Sequence, residues 1–162
     1  MVNVKRLCRN GQTLEEAYTC PSNFLEIDVS SPDIKGTGPN KHVVYRVTLN
    51  TNIPVFATKQ STVYRRYSDF EWLKNELERE DKVHMQIPEF PSKSYFRNLP
   101  FRSDNGLFDP KFIERRRKGL EDFINKIVGH PVAREDIAVH MFLLDEQIDR
   151  NYIPGRVTPH NN

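Results

Sequence analysis

The sequence predicts an α+β domain, a three-stranded antiparallel β-meander packed against a helical subdomain of three or more helices, with a long proline-rich loop between the helices. Three observations carry this. Three stretches rich in β-branched and aromatic residues follow one another closely between Phe24 and Tyr67. Beyond them the apolar period changes from two to about three and a half. The segment from Gln86 to Leu107 holds Pro88, Pro91 and Pro100 and, at about 20 residues without a periodic pattern, is long enough to suggest a functional loop.

Residues 1–23 lack sustained periodicity, contain Asn10-Gly11 and Pro21, and read as an extended N-terminal arm. Phe24 to Val29 alternates as a first strand, closed by Ser30-Ser31-Pro32. Gly36 to Asn40 is a flexible turn. His42 to Leu49 is the second strand, residues 50–59 bend around Pro54, and Ser61 to Tyr67 is the third. Ser68-Asp69-Phe70-Glu71 has the Ser-x-x-Glu form of a capping box, with Ser68 as the cap. The first helix then runs from Asp69 to about Glu80, burying Phe70, Leu73 and Leu77 and turning Lys74, Glu78 and Arg79 to water. Asp109-Pro110 supplies the N-cap and first position of a second helix that stops at Gly129-His130-Pro131. A third helix occupies about Arg134 to Leu144. The domain spans residues 24–150, and residues 151–162 read as a flexible C-terminal tail.

The 162 residues and 19.0 kDa suit one compact domain. Lys and Arg total 24 against 22 Asp and Glu. A net charge of +2 is too small for general polyanion binding, so an anionic partner must be met by local placement of charge, and nucleic acid is not expected. With 37% hydrophobic residues and a mean hydropathy of -0.67, no apolar run approaches the roughly 20 residues of a membrane span. Cys8 and Cys20 lack metal-ligand spacing and read as free thiols of a cytosolic protein.

The chemistry concentrates at the third strand's end, Val63-Tyr64-Arg65-Arg66-Tyr67-Ser68. A guanidinium fork suits phosphate, and a helix N-terminus beside it adds free N–H groups and a favourable dipole. Strand neighbours point to opposite faces, so only one of Arg65 and Arg66 can serve such a site, and spacing alone does not say which. In the second helix the stripe Ile113, Arg116, Leu120, Phe123, Ile127 places an arginine where a core residue is expected. Arg116 is therefore snorkelling or directed at an anion, while Arg115 and Arg117 read as solvent-facing. In the loop, Pro88-Glu89-Phe90-Pro91-Ser92-Lys93 precedes an alternation of apolar and basic residues through Tyr95, Phe96, Leu99 and Arg102. That alternation suits insertion at an anionic bilayer surface or packing onto the body, while Pro88 to Pro91 has the P-x-x-P form of a ligand for another domain. No catalytic signature stands out. Neither cysteine has an arginine six positions on, there is no glycine-rich phosphate cradle, and the five histidines show no ligand spacing.

The order of these parts resembles the phox-homology (PX) domain: a three-stranded sheet, Arg-Arg-Tyr-Ser-Asp-Phe at the strand-to-helix junction, a proline-bounded loop ending in a lysine, and an inward arginine on a later helix. Within that family the chain is similar to the sorting nexin-3 and sorting nexin-12 group. The likeness rests on Leu14 to Tyr18, Pro21 to Val29, Thr51-Asn52-Ile53-Pro54, Leu99-Pro100-Phe101-Arg102 and Gly129-His130-Pro131. The resemblance implies a lipid-binding protein with no catalysis and no cofactor, which attaches to phosphatidylinositol 3-phosphate on early endosomal membranes from the cytoplasm. It implies that Arg66 holds the 3-phosphate beside Ser68, Tyr67 stacks under the inositol ring, Lys93 meets the 1-phosphate and Arg116 bonds ring hydroxyls. Tyr95, Phe96 and Leu99 would then form the membrane insertion loop. It further implies a monomer that works with the retromer complex and sorted cargo tails, including on Golgi-directed carriers. The alternative is a protein-protein adaptor with a weak or altered phosphoinositide pocket. Two departures stand out: Pro91-Ser92-Lys93 replaces the usual Pro-Gly-Lys, and residues 82–87 run about two residues longer than the family form.

Overall fold

The computed structural model describes residues 23–79, 85–93 and 106–159. Three strands, β1 (Leu25–Lys35), β2 (His42–Thr51) and β3 (Gln60–Arg66), form an antiparallel sheet in that order. The helices follow as α1 (Tyr67–Glu78), α2 (Pro110–Gly129) and α3 (Ile137–Leu144), so the three-stranded meander and three helices expected from the sequence are the observed architecture. The N-terminal arm with Cys8 and Cys20, and the loop residues Tyr95, Phe96 and Leu99, lie outside the described residues.

β1 does not stop at Ser30-Ser31-Pro32 as expected; it continues to Lys35. The register shifts between Ser30, opposite Arg46, and Asp33, opposite Val44, and Ser31 takes a positive φ of 51°. One extra residue is absorbed there as a bulge. A proline without an N–H is tolerated at such a break in an edge strand, so it bends the strand instead of ending it. The turn to β2 relies on Gly36, whose φ is +75° and where a Cβ would sit 2.4 Å from the Asn40 carbonyl oxygen.

The inward face of the sheet supplies Ile27, Val29, Tyr45, Val47, Leu49 and Val63, and the helices answer with Phe70, Leu73, Leu77, Leu120, Phe123, Ile127 and Phe142. α2 also covers the free edge of β1. Asn125 accepts from the Ile27 N–H at 3.1 Å and donates to its carbonyl at 2.7 Å, while Glu121 accepts from the Val29 N–H at 3.0 Å. Arg117 donates to the Val29 carbonyl at 2.8 Å and to Glu114 and Glu121. Arg117 is thus not the solvent-facing residue that its flanking position suggested. These side chains saturate backbone groups that would otherwise offer an edge for aggregation.

Residues expected in a flexible tail fold back on the domain. The Tyr152 hydroxyl donates to Glu76 at 2.6 Å and its ring meets Trp72 edge-on; the Val157 N–H donates to the Glu135 carbonyl at 2.7 Å.

Candidate functional site

The two adjacent arginines have opposite fates. Arg65 lies on the inward face of β3 and is 2% exposed. Its guanidinium caps the C-terminal end of α3, donating to the carbonyls of Phe142 at 2.8 Å, Met141 at 3.3 Å, Glu146 at 3.0 Å and Asp145, and back to Tyr64 at 3.1 Å. Helix C-termini leave carbonyls without partners and carry negative dipole charge, so a buried cation is well placed there. Burial pushes this guanidinium below its ordinary pKa, with Asp69 and Asp145 opposing. Arg65 therefore has its donors committed to the fold.

Arg66 is exposed and forms the N-cap position of α1, with extended backbone at φ -104° and ψ 168°. The reciprocal bond of the cap comes from Asp69, whose carboxylate accepts from the Arg66 N–H at 2.9 Å. Ser68 is the second residue of the helix and is not the cap. The sequence reading shifted the capping box because β3 ends one residue earlier and α1 begins at Tyr67.

A cavity of about 190 Å³ is lined by Arg66, Tyr67, Ser68 and Arg116 together with Lys41, His42, Val43, Tyr45, Leu107 and Phe108. Four of the five residues expected to contact the headgroup therefore line one cleft. Arg116 enters it between two rings, its guanidinium carbon 3.9 Å from the Tyr67 centroid and 4.5 Å from that of Phe112. Its Nη2 donates to the carbonyls of Ser92 at 3.0 Å and Lys93 at 2.6 Å. The Tyr67 hydroxyl donates to the Pro91 carbonyl at 2.8 Å, and its ring packs on Phe90, which in turn meets Phe123. Tyr67 and Arg116 thus hold the segment Phe90 to Lys93 against the site. Gly119 permits this approach, because a Cβ there would fall 2.6 Å from the Pro91 ring.

Lys93 does not line the cavity. Its side chain is 77% exposed and its Nζ lies 3.5 Å from Glu71. An exposed pair of this kind is worth of order 0–1 kcal/mol, so the ammonium can leave it at small cost.

Two buried atoms at the cleft have no hydrogen-bond partner among the described residues: the Arg116 Nε and the Tyr45 hydroxyl. Such groups are costly unless something pairs with them. Burial lowers the Arg116 guanidinium from its ordinary pKa, offset in part by Tyr45, Tyr67 and Glu71. Burial also pushes the Tyr45 phenol up to about 12 and raises that of Tyr67.

Sequence reasoning missed Tyr45 and Lys41. Tyr45 sits at an inward position of β2 and reads as core. Lys41 follows the 3-10 turn Gly38–Asn40 and places its Nζ 4.3 Å above the Phe108 ring; only the spatial return of α2 brings both to the site. Two larger clefts occur among the described residues, about 600 Å³ between Glu89–Ser92 and α2, which Arg116 also lines, and about 680 Å³ over Ser31, Arg46 and Tyr64. The smaller cleft is preferred because both unpartnered atoms belong to residues that line it.

Residues 53–146 match the PX domain family. Sorting nexin-3 of Homo sapiens is 52% identical over 157 residues, covering 97% of this chain and 96% of that protein. Sorting nexin-12 of Homo sapiens is 53% identical over 157 residues, with 97% and 96% covered. The X-ray structure of a designed CISK-PX domain superposes with a TM-score of 0.56 at 31% identity, covering 73% of this chain and 97% of that one. Strand order, the Arg-Arg-Tyr junction and likeness along almost the whole chain converge: the chain belongs to the PX domain family and, within it, to the sorting nexins.

Proposed function

We propose that the protein binds phosphatidylinositol 3-phosphate through the cleft between β2, the start of α1 and α2, and so attaches to early endosomal membranes as a non-enzymatic sorting adaptor. The observation that carries this reading is that Arg66, Tyr67 and Arg116 line one small cavity, with the Arg116 Nε–H buried and without a partner among the described residues. Arg66 is the group for the 3-phosphate: it is exposed at a helix N-terminus, where free backbone N–H groups and the dipole also favour an anion. The Tyr67 ring supports the inositol face, and Arg116 bonds ring hydroxyls. Lys93 exchanges Glu71 for the 1-phosphate at the rim.

Tyr95, Phe96 and Leu99 are assigned to the bilayer interface by the alternation of apolar and basic residues in the loop that follows Lys93. Work with retromer and cargo tails rests on likeness to the sorting nexins and is the assignment given to the arm, residues 1–23. In sedimentation with liposomes carrying each of the seven phosphoinositides, wild-type protein should pellet with the 3-phosphorylated lipid and Arg66→Ala should not. Equal pelleting with lipids phosphorylated only at position 4 or 5, or an undiminished Arg66→Ala, would overturn the reading. Deleting residues 1–20 should lower retromer capture on those liposomes while leaving lipid binding by the protein alone unchanged.

A further inference from the structure

We infer that Arg150, on the chain past the last helix, serves the phosphoinositide site as a positioning residue: it neutralises Asp69, the carboxylate that caps Arg66, so that this carboxylate does not oppose the phosphate that Arg66 receives. This rests on the lipid reading above and carries the site to the far end of the domain. Residues 149–157 form a strap along one face of α1. Asp69, Trp72 and Glu76 stand three and four positions apart and so on one side of that helix. They meet in turn the Arg150 guanidinium at 3.4 Å, the Tyr152 ring edge-on, and the Tyr152 hydroxyl at 2.6 Å. Further along, the Gly155 carbonyl accepts from the Ile137 N–H at 3.0 Å, and the Val157 N–H donates to the Glu135 carbonyl at 2.7 Å.

Tyr152, Gly155 and Val157 already fasten this strap, and an ion pair whose arginine side chain is 55% exposed adds little to such a hold. The consequence of Arg150 lies instead in charge. The Asp69 carboxylate has a fixed place, one oxygen accepting from the Arg66 N–H at 2.9 Å and the other facing Arg150. It completes the cap and suits the helix dipole. It is also a negative charge beside the residue that takes an anion, and at such separations ions in solution screen it only in part. Arg65 acts on Asp69 as well, but spends its donors on carbonyls, chiefly those at the α3 terminus. Among the described residues, the side chain bonded to Asp69 is that of Arg150. The strap thereby lets one carboxylate hold the Arg66 backbone without weakening the pull of the Arg66 guanidinium on phosphate.

The test is a double-mutant cycle of Arg150→Gln and Asp69→Asn, the second of which keeps an acceptor for the Arg66 N–H and removes the charge. Titration calorimetry at low salt with soluble short-chain phosphatidylinositol 3-phosphate gives the affinities, and thermal unfolding gives the stability of each variant. Arg150→Gln should lower affinity by roughly 2- to 5-fold, the range for exposed charge pairs, with melting almost unchanged. Arg150→Lys, which keeps the charge, should bind nearly as wild type. In the Asp69→Asn background Arg150→Gln should have no further effect, because the charge it offsets is gone. Wild-type affinity in Arg150→Gln, an equal loss in both backgrounds, or a loss that follows the melting temperature and persists in Arg150→Lys would overturn the assignment. Absence of any 3-phosphate binding by wild type would instead sink the lipid reading on which it stands.

Discussion

Arg65→Met separates the structural arginine from the binding one. Methionine keeps an apolar stem in the buried channel but removes every donor, so the α3 terminus loses its cap. The carbonyls of Asp145 and Glu146 are reached from partly exposed atoms and recover water, whereas the bonds to Phe142 and Met141 are buried. Met141 retains the Asp145 N–H at 3.1 Å, which leaves Phe142 as the principal carbonyl without a donor. One buried unsatisfied acceptor and the loss of charge-assisted bonds amount to roughly 2–4 kcal/mol. For a domain of this size that is a fall in melting temperature of roughly 4–16 °C. Arg66→Ala, at an exposed cap position whose structural bond runs through the backbone, should leave melting almost unchanged. Thermal unfolding followed by circular dichroism, with liposome sedimentation well below the midpoint, reads both effects. The expected pattern is crossed: Arg65→Met melts early yet binds, and Arg66→Ala melts normally and does not. An Arg65→Met protein that melts with wild type, or one that is folded and loses binding as fully as Arg66→Ala, refutes the argument.

Gly119→Ala should lower stability by roughly 1–3 kcal/mol through overpacking against Pro91 and weaken headgroup binding by displacing the segment held by Tyr67; because alanine is the better helix former, a raised melting temperature would show that no close approach exists. Ser68→Asp should reduce 3-phosphoinositide binding on liposomes by placing an anion beside Arg66, with melting unchanged or slightly raised by the helix dipole. Phosphorylation of Ser68 acts in the same direction. Ser68→Ala should alter neither, since the cap bond belongs to Asp69, and retained binding by Ser68→Asp would count against an electrostatic switch. His140 stacks on Phe56 at 4.6 Å and donates through Nε2 to the Arg134 carbonyl at 2.8 Å, and burial lowers its pKa against the opposing pull of Asp136 and Glu135. Its neutral form is favoured in the fold, so its contribution is present above the ordinary value of 6.5 and is lost as pH falls through the lower folded value. Melting temperature should therefore decline with acidification in wild type and less steeply in His140→Gln.

The amino-acid sequence by itself determined the elements and their order, because alternation, capping and proline placement are local signals. The stripe Phe70, Leu73, Leu77 is buried, Asp109 caps α2 by accepting from the Lys111 and Phe112 N–H groups, and Pro110 opens that helix. Alternation also required Arg65 and Arg66 to part company, but which one faced a ligand was decided by α3, whose C-terminal carbonyls occupy Arg65. The same holds for β1, where a local reading of Ser-Ser-Pro as a stop gave way to pairing with β2 across a bulge, and for Arg117, claimed by the edge of β1. Tyr45 and Lys41 entered the candidate site only in three dimensions. A residue on a strand carries no mark of which distant helix will close over it, so its partners follow from tertiary packing and not from its neighbours in the chain.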